Sequence, residues 1–189
     1  MSTLIWFFDL NKYMILKSLN YKLLHKKINT SLNQLSNQER IKPRKIRSLG
    51  CIIDPNFPVS VDSFTDLCFS IGLKEKDLKI ITFQENKNTF NVFSNMNITP
   101  SCISFMGNLS GRDSLEFISY NYDMLINFFK SNELLTLLSS KTNAKFRVGF
   151  DSVDSNLNDL IFSDQIKKFS DFKFELIKYL KMIKWIIHY

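Results

Sequence analysis

The chain has 189 residues, 44% hydrophobic and 14% aromatic, with a formal net charge of +7. That is enough apolar material for one packed core and too little length for two full-sized domains. Disordered, collagenous and disulfide-scaffold classes are excluded, and the longest apolar runs, such as Leu4 to Phe8 and Cys102 to Met106, fall far short of a membrane-spanning helix.

The charge is unevenly placed. Residues 12–47 carry ten basic side chains against one acidic, Glu39, whereas residues 48–189 carry fifteen basic and sixteen acidic. A basic arm therefore precedes a body that is neutral in sum. Part of the basicity follows from a composition rich in Lys, Asn, Phe and Ile, the residues that AT-rich coding sequence over-produces. Cys51, Cys68 and Cys102 form no CxxC spacing and sit among apolar neighbours, so they read as buried thiols of a reducing compartment. The opening MSTLIWFFDLNK lacks the basic start and cleavage site of a secretory signal, so the cytoplasm is the expected location.

From Lys12 to Asn37 there is neither Pro nor Gly, and helical spacing aligns Met14, Tyr21, Leu24, Ile28, Leu32 and Leu35 in one stripe with Lys12, Lys22 and Lys26 opposite. Leu16, Leu19 and Leu23 form a second apolar strip beside those lysines. The stretch SNQERIKPRKIRS, with Pro43 and five basic residues between Arg40 and Arg47, reads as an exposed linker.

Beyond it, Ile46 to Ile53 predicts a first strand ending at Asp54-Pro55-Asn56. Val61, Phe64, Leu67, Cys68 and Ile71 predict a helix closed by Gly72, and Leu78 to Phe83 a second, parallel strand. The segment from Gln84 to Gly111 offers a hairpin or extra strand at Thr89 to Phe93 and a short apolar run at Cys102 to Met106. A helix over Arg112 to Ser119 precedes a buried strand, Asp123 to Phe129. Ser131 or Asn132 caps a helix carrying Leu134, Leu135, Leu137 and Leu138; strands follow at Lys145 to Phe150 and Leu160 to Phe162. The last helix keeps Phe169, Phe172, Leu176, Leu180, Ile183 and Ile187 on one face. This alternation predicts a Rossmann-like α/β domain, an open and mostly parallel sheet flanked by helices, over residues 45–189, preceded by a basic helical arm and linker over 14–44.

Candidate sites follow from that layout. A phosphate cradle after the first strand would use glycines, but Pro55 and Pro58 remove two amide donors there. Gly107 and Gly111, next to Arg112, make either an anion-binding turn or an ordinary loop. His25 and His188 have no second imidazole at ligand spacing, so no metal and no cofactor is expected, and no side chain reads as catalytic. Asp151 pairs by spacing with Asp154; Asp54, Asn127 and Asp151 fall at carboxyl ends of predicted strands, where a sugar or nucleotide would bind. The basic arm is the larger feature. Lys22, Lys26, Lys27, Arg44, Lys45 and Arg47 suit the phosphates of RNA or a ribonucleoprotein, or an acidic protein partner. With Trp6, Phe7, Phe8 and the Leu16, Leu19, Leu23 strip, the same lysines also suit an anionic membrane surface.

The segments MILKSLNYK (14–22), KIRSLGCIID (45–54), YDMLINFFK (122–130), AKFRVGFDS (144–152), LNDLIF (157–162) and FKFELIKYLKMI (172–183) resemble a domain family of unknown function from Bacteroidota, mainly flavobacteria. Such relatives begin near the equivalent of Met14, which marks residues 1–13 as an extended start or a poorly ordered lead. The succession of Tyr122 to Phe128, Leu134 to Leu138 and Ala144 to Phe150 is also similar to the amino-terminal half of heptosyltransferase-like glycosyltransferases. That resemblance implies the Rossmann-like order without the second domain that holds the sugar donor. The reading that emerges is a non-enzymatic binding or adaptor module whose basic arm contacts RNA or a protein; a degenerate sugar- or nucleotide-binding enzyme and a peripheral membrane protein are the alternatives.

Overall fold

A computed structural model of the chain describes residues 21–38, 43–56, 59–85, 96–166 and 168–185. Six strands, β1 (Leu49–Ile53), β2 (Leu78–Phe83), β3 (Met96–Ile98), β4 (Asn121–Phe128), β5 (Asn143–Phe150) and β6 (Leu160–Phe162), form one sheet in the order β3-β2-β1-β4-β5-β6. Every neighbouring pair is parallel. This is the doubly wound, Rossmann-like order, which reverses direction between β1 and β4. Five helices flank it: α1 over residues 21–37, α2 (Val61–Ser70), α3 (Arg112–Ser119), α4 (Glu133–Lys141) and α5 (Phe169–Met182).

The sequence makes this sheet because its central strands are apolar on both faces, as strands covered by helices on both sides must be. In β1, Leu49, Cys51 and Ile53 pack with Phe64 and Leu67 of α2 and with Phe172, Leu176 and Leu180 of α5. Ile52 points the other way, into a core shared with Phe117 of α3 and Leu134, Leu135 and Leu138 of α4. Ile28, Leu32 and Leu35 of α1 are buried in that second core and Leu24 packs against it, so α1 is a packed layer of the fold; Tyr21 of the predicted stripe is exposed, and Met14 lies outside the described residues. Helix ends follow local chemistry. Gly72, at φ 81°, closes α2, with Leu73 N–H donating to the Cys68 carbonyl. Asn132 caps α4 by accepting from Leu135 N–H at 3.2 Å.

The structure corrects one predicted boundary and adds detail where the sequence named no element. The first strand begins at Leu49, not Ile46, because the amides just before it bond outside the ladder: Ile46 N–H to the Trp185 carbonyl and Arg47 N–H to Asp123 Oδ2. The apolar run Cys102 to Met106 joins no strand of the sheet: Pro100–Cys102 is a single tight helical turn, and Ile103 makes one isolated bridge to Leu109. Met96–Ile98, not predicted, is the edge strand beside β2. The Thr89 to Phe93 prediction lies outside the described residues.

Candidate polyanion-binding edge

Because all six strands run the same way, segments leading into strands gather at one edge of the sheet and segments leaving them at the other. Between β1 and β4 the carboxyl edge has the crevice where such sheets usually hold ligands. The three side chains predicted there do not share a task. Asp54 is buried; its N–H donates to the Phe128 carbonyl and its Oδ1 accepts from Asn56 N–H at 3.0 Å, an Asx turn. Asp151 Oδ1 accepts from Asp164 N–H at 3.0 Å, and Asp154 Oδ1 from Asn156 N–H at 2.8 Å. Asn127 is wholly buried on the α1 side of the sheet, where its Nδ2 donates to Asn158 Oδ1 at 2.7 Å. Asn158 lies flat on Gly149, where a Cβ would stand 2.7 Å from its Cγ, and lines a polar cleft of about 360 Å³ with Leu35, Ser36, Gln38, Asn156 and Asp159.

Charge separates the two edges. The described carboxyl-edge segments (54–56, 59–62, 84–85, 99–113, 129–133, 151–156, 163–166 and 168–171) hold nine carboxylates and three cations. Asp62, Asp113, Glu133 and Asp171 occupy the first turns of α2, α3, α4 and α5, already complementing the positive helix ends that would otherwise attract an anion. At the opposite edge the segments 43–48, 71–79, 119–123, 141–145, 157–159 and 181–185 hold ten Lys and Arg against four carboxylates. Counted together with residues 43–47 of the arm, the sheet is polarised in space.

Helix dipoles account for part of the amino-edge excess, since Lys141 and Lys181 stand in the last turns of α4 and α5 and Lys74 and Lys76 follow α2. Arg44, Lys45, Arg47 and Lys145 have no such explanation, because they lead into or open strands. These four, with Pro43 and Asp123, line one hollow of about 200 Å³. Asp123, itself buried, organises it: Oδ2 accepts from Arg47 N–H at 2.9 Å and Oδ1 from the Lys145 ammonium at 2.6 Å. Its own N–H donates to Ser48 Oγ at 2.9 Å. One carboxylate thus lies in a hollow lined by four basic residues, and its ion pair there is with Lys145. Nearby on the same edge, Lys79 of β2 lies 4.9 Å from the centre of the Tyr120 ring.

The predicted basic arm is divided by the fold. Arg44, Lys45 and Arg47 stand in the amino-edge hollow; Lys22, Lys26 and Lys27 are exposed on α1 and form no ion pair among the described residues. The first described turn of α1 is held toward the carboxyl edge, where His25 Nε2 meets Glu133 Oε1 at 2.8 Å and the Tyr21 ring packs edge-on against His25. A hydrogen bond to Glu133 and the nearby carboxylate charge push the Tyr21 phenol up. Trp6, Phe7, Phe8, Leu16, Leu19 and His188 lie outside the described residues.

Two important cations carried no mark in the sequence. Lys145 joins the hollow only because β5 lies beside β4. Arg147, two residues on, is fully buried: its guanidinium donates to the carbonyls of Ser139, at 2.8 Å, and Thr142, pinning the end of α4. Cys51 and Cys68 belong to the core on the α2 and α5 side, while His25 sits on the opposite face. Burial pushes the Cys51 thiol well up and the Cys68 thiol up to about 11, the latter with Asp77 and Glu75 adding repulsion. Among the described residues no group of three or more His, Cys, Asp or Glu side chains could hold a metal ion, and no helix is long and apolar enough to cross a membrane.

The chain belongs to a family of unknown function, DUF6913, whose model matches residues 20–183. No curated protein and no solved structure matches it.

Proposed function

We propose that this DUF6913 chain is a polyanion-binding module that engages the phosphates of RNA along the amino edge of its sheet. The observation that carries the reading is the hollow that Arg44, Lys45, Arg47 and Lys145 line with a single carboxylate, Asp123. Lys22, Lys26 and Lys27 extend the positive surface onto α1. The carboxyl edge supports the enzyme alternative poorly. Its carboxylates outnumber its cations, and Asp54 and Asp151 are engaged with backbone amides of neighbouring turns.

Contacts to phosphates release counterions, so affinity should fall linearly with salt on a double-logarithmic plot, by about 0.7 units of slope for each single-strand contact. Four contacts give a slope of about −3. The test is binding of a short fluorescein-labelled oligouridylate across a potassium chloride series. It compares the intact chain with a variant carrying Arg44→Gln, Lys45→Gln, Arg47→Gln and Lys145→Gln. Substitution is preferable to truncation, because deleting α1 would strip Ile28, Leu32 and Leu35 from the core. The variant should lose most of the slope while keeping its fold. Binding that is absent at low salt, or equal in both proteins, refutes the reading.

A second reading is favoured by exposed Tyr21, Phe105 and Met106, which join Lys22, Lys26 and Lys27 around the start of α1 in the composition of a membrane-surface patch. Flotation with vesicles of anionic lipid, absent with neutral lipid, would support it.

A further inference from the structure

The end of α5 holds an unusual residue. Trp185 N–H donates to the Leu180 carbonyl and Lys184 N–H to the Lys181 carbonyl, both at 3.1 Å, so the helix closes in a Schellman motif with Lys184 at the left-handed position. Its φ is 58°, and among the described residues no other non-glycine has a positive φ. That position is usually glycine, sometimes asparagine, because a Cβ crowds the following carbonyl. Asparagine is as plentiful in this chain as lysine, with 18 against 20, so composition alone does not account for a lysine here.

The place explains what the conformation does not. The next residue, Trp185, accepts at its carbonyl from Ile46 N–H at 3.3 Å, and its ring packs edge-on against Phe146 with centroids 4.7 Å apart. Ile46 lies between Lys45 and Arg47; Phe146 follows Lys145. Lys184 is therefore anchored one residue from both segments that supply the amino-edge hollow, is exposed, and forms no ion pair among the described residues.

We infer that Lys184 is a fifth phosphate contact of the amino-edge surface, kept in a left-handed turn that glycine would occupy with less strain. The inference rests on the polyanion-binding reading and deepens it. A merely structural lysine and a phosphate contact differ in what Lys184→Gly does. If Lys184 touches phosphate, the glycine variant binds the labelled oligouridylate about fivefold more weakly at 0.1 M than the intact chain, relative to their ratio at 1 M, and its salt slope is shallower by about 0.7. Its melting temperature holds or rises by a few degrees as the strain is relieved. Lys184→Arg, which keeps the charge at the same backbone, should restore both affinity and slope. If Lys184→Gly binds with unchanged affinity and slope while the fourfold glutamine variant loses binding, this inference is overturned and the polyanion reading stands. If the intact chain shows no salt-dependent binding, both fall.

Discussion

Replacing Arg147 with methionine separates a cation that holds the fold from cations that face solvent. The guanidinium is 1% exposed and donates to two carbonyls at the end of α4, Ser139 at 2.8 Å and Thr142, with Ser139 Oγ a longer contact at 3.4 Å. Methionine fills similar volume but donates nothing, leaving those carbonyls without their charged donor at about 1–3 kcal/mol each. Removing a buried charge recovers some desolvation energy, so the net loss works out at about 3 kcal/mol. For a chain of this size that lowers the melting temperature by roughly 6–12 °C. With a urea slope of about 2 kcal/mol/M it moves the unfolding midpoint down by about 1.5 M. The assay is urea and thermal unfolding followed by far-ultraviolet circular dichroism, with RNA binding measured on the folded fraction. Binding slope should not change, because the side chain does not reach the surface. A methionine variant within about 1 kcal/mol of the parent would show that desolvation cancels the hydrogen bonds and that Arg147 does not secure α4.

Gly149→Ala drives a Cβ into the Asn158 amide, and moving that amide breaks its 2.7 Å bond to wholly buried Asn127. Overpacking and the lost bond together should lower stability by about 2–4 kcal/mol. The double variant with Asn158→Ala should be less destabilised than the sum of the singles by about 1 kcal/mol or more, and strict additivity would contradict the packing argument. Alkaline stability tests the buried thiols. Folding raises Cys68 from its ordinary value of 9.0 to about 11, so the folded chain keeps a proton that the unfolded chain releases in that interval. Stability is therefore full below about pH 9 and declines toward pH 11, with Cys51 and Tyr122, also pushed up by burial, acting in the same direction. Urea midpoints that stay flat across this range, or a Cys68→Ala variant with an equally steep decline, would count against it.

What could be read from the sequence was whatever local chemistry determines. Leu78–Phe83 and Leu160–Phe162 are apolar runs bounded by turns, Arg112–Ser119 has a helical period, and Gly72 and Asn132 carry the stop and start signals of their helices. What could not be read depends on distant partners. Met96–Ile98 has a polar centre and is a strand because β2 supplies its ladder and Asp113 Oδ2 accepts from Asn97 N–H at 2.9 Å. Arg147 looks like the polar position of an alternating strand. It is buried because the end of α4 offers carbonyls that no local pattern announces. Lys145 enters the candidate site through a strand order that only the assembled sheet provides.

The same reasoning explains how a body with balanced charge can still present a basic edge. Summing charges over residues 48–189 cancels groups that the topology holds apart, because each strand carries the chain from one edge to the other. Lys79 stands at the start of β2 and Glu85 follows that strand; Lys145 stands near the start of β5 and Asp151 follows it. The field outside such a sheet is that of two opposed faces, and an anion approaching it is steered to the edge where strands begin. The Rossmann-like order alone would direct attention to the crevice at the other edge. There the first turn carries Pro55 in place of phosphate-binding glycines, and α2, α3, α4 and α5 each begin with a carboxylate. Fold analogy and electrostatics thus point to opposite ends of the sheet, and the polyanion reading proposed above follows the charged side chains, not the strand order.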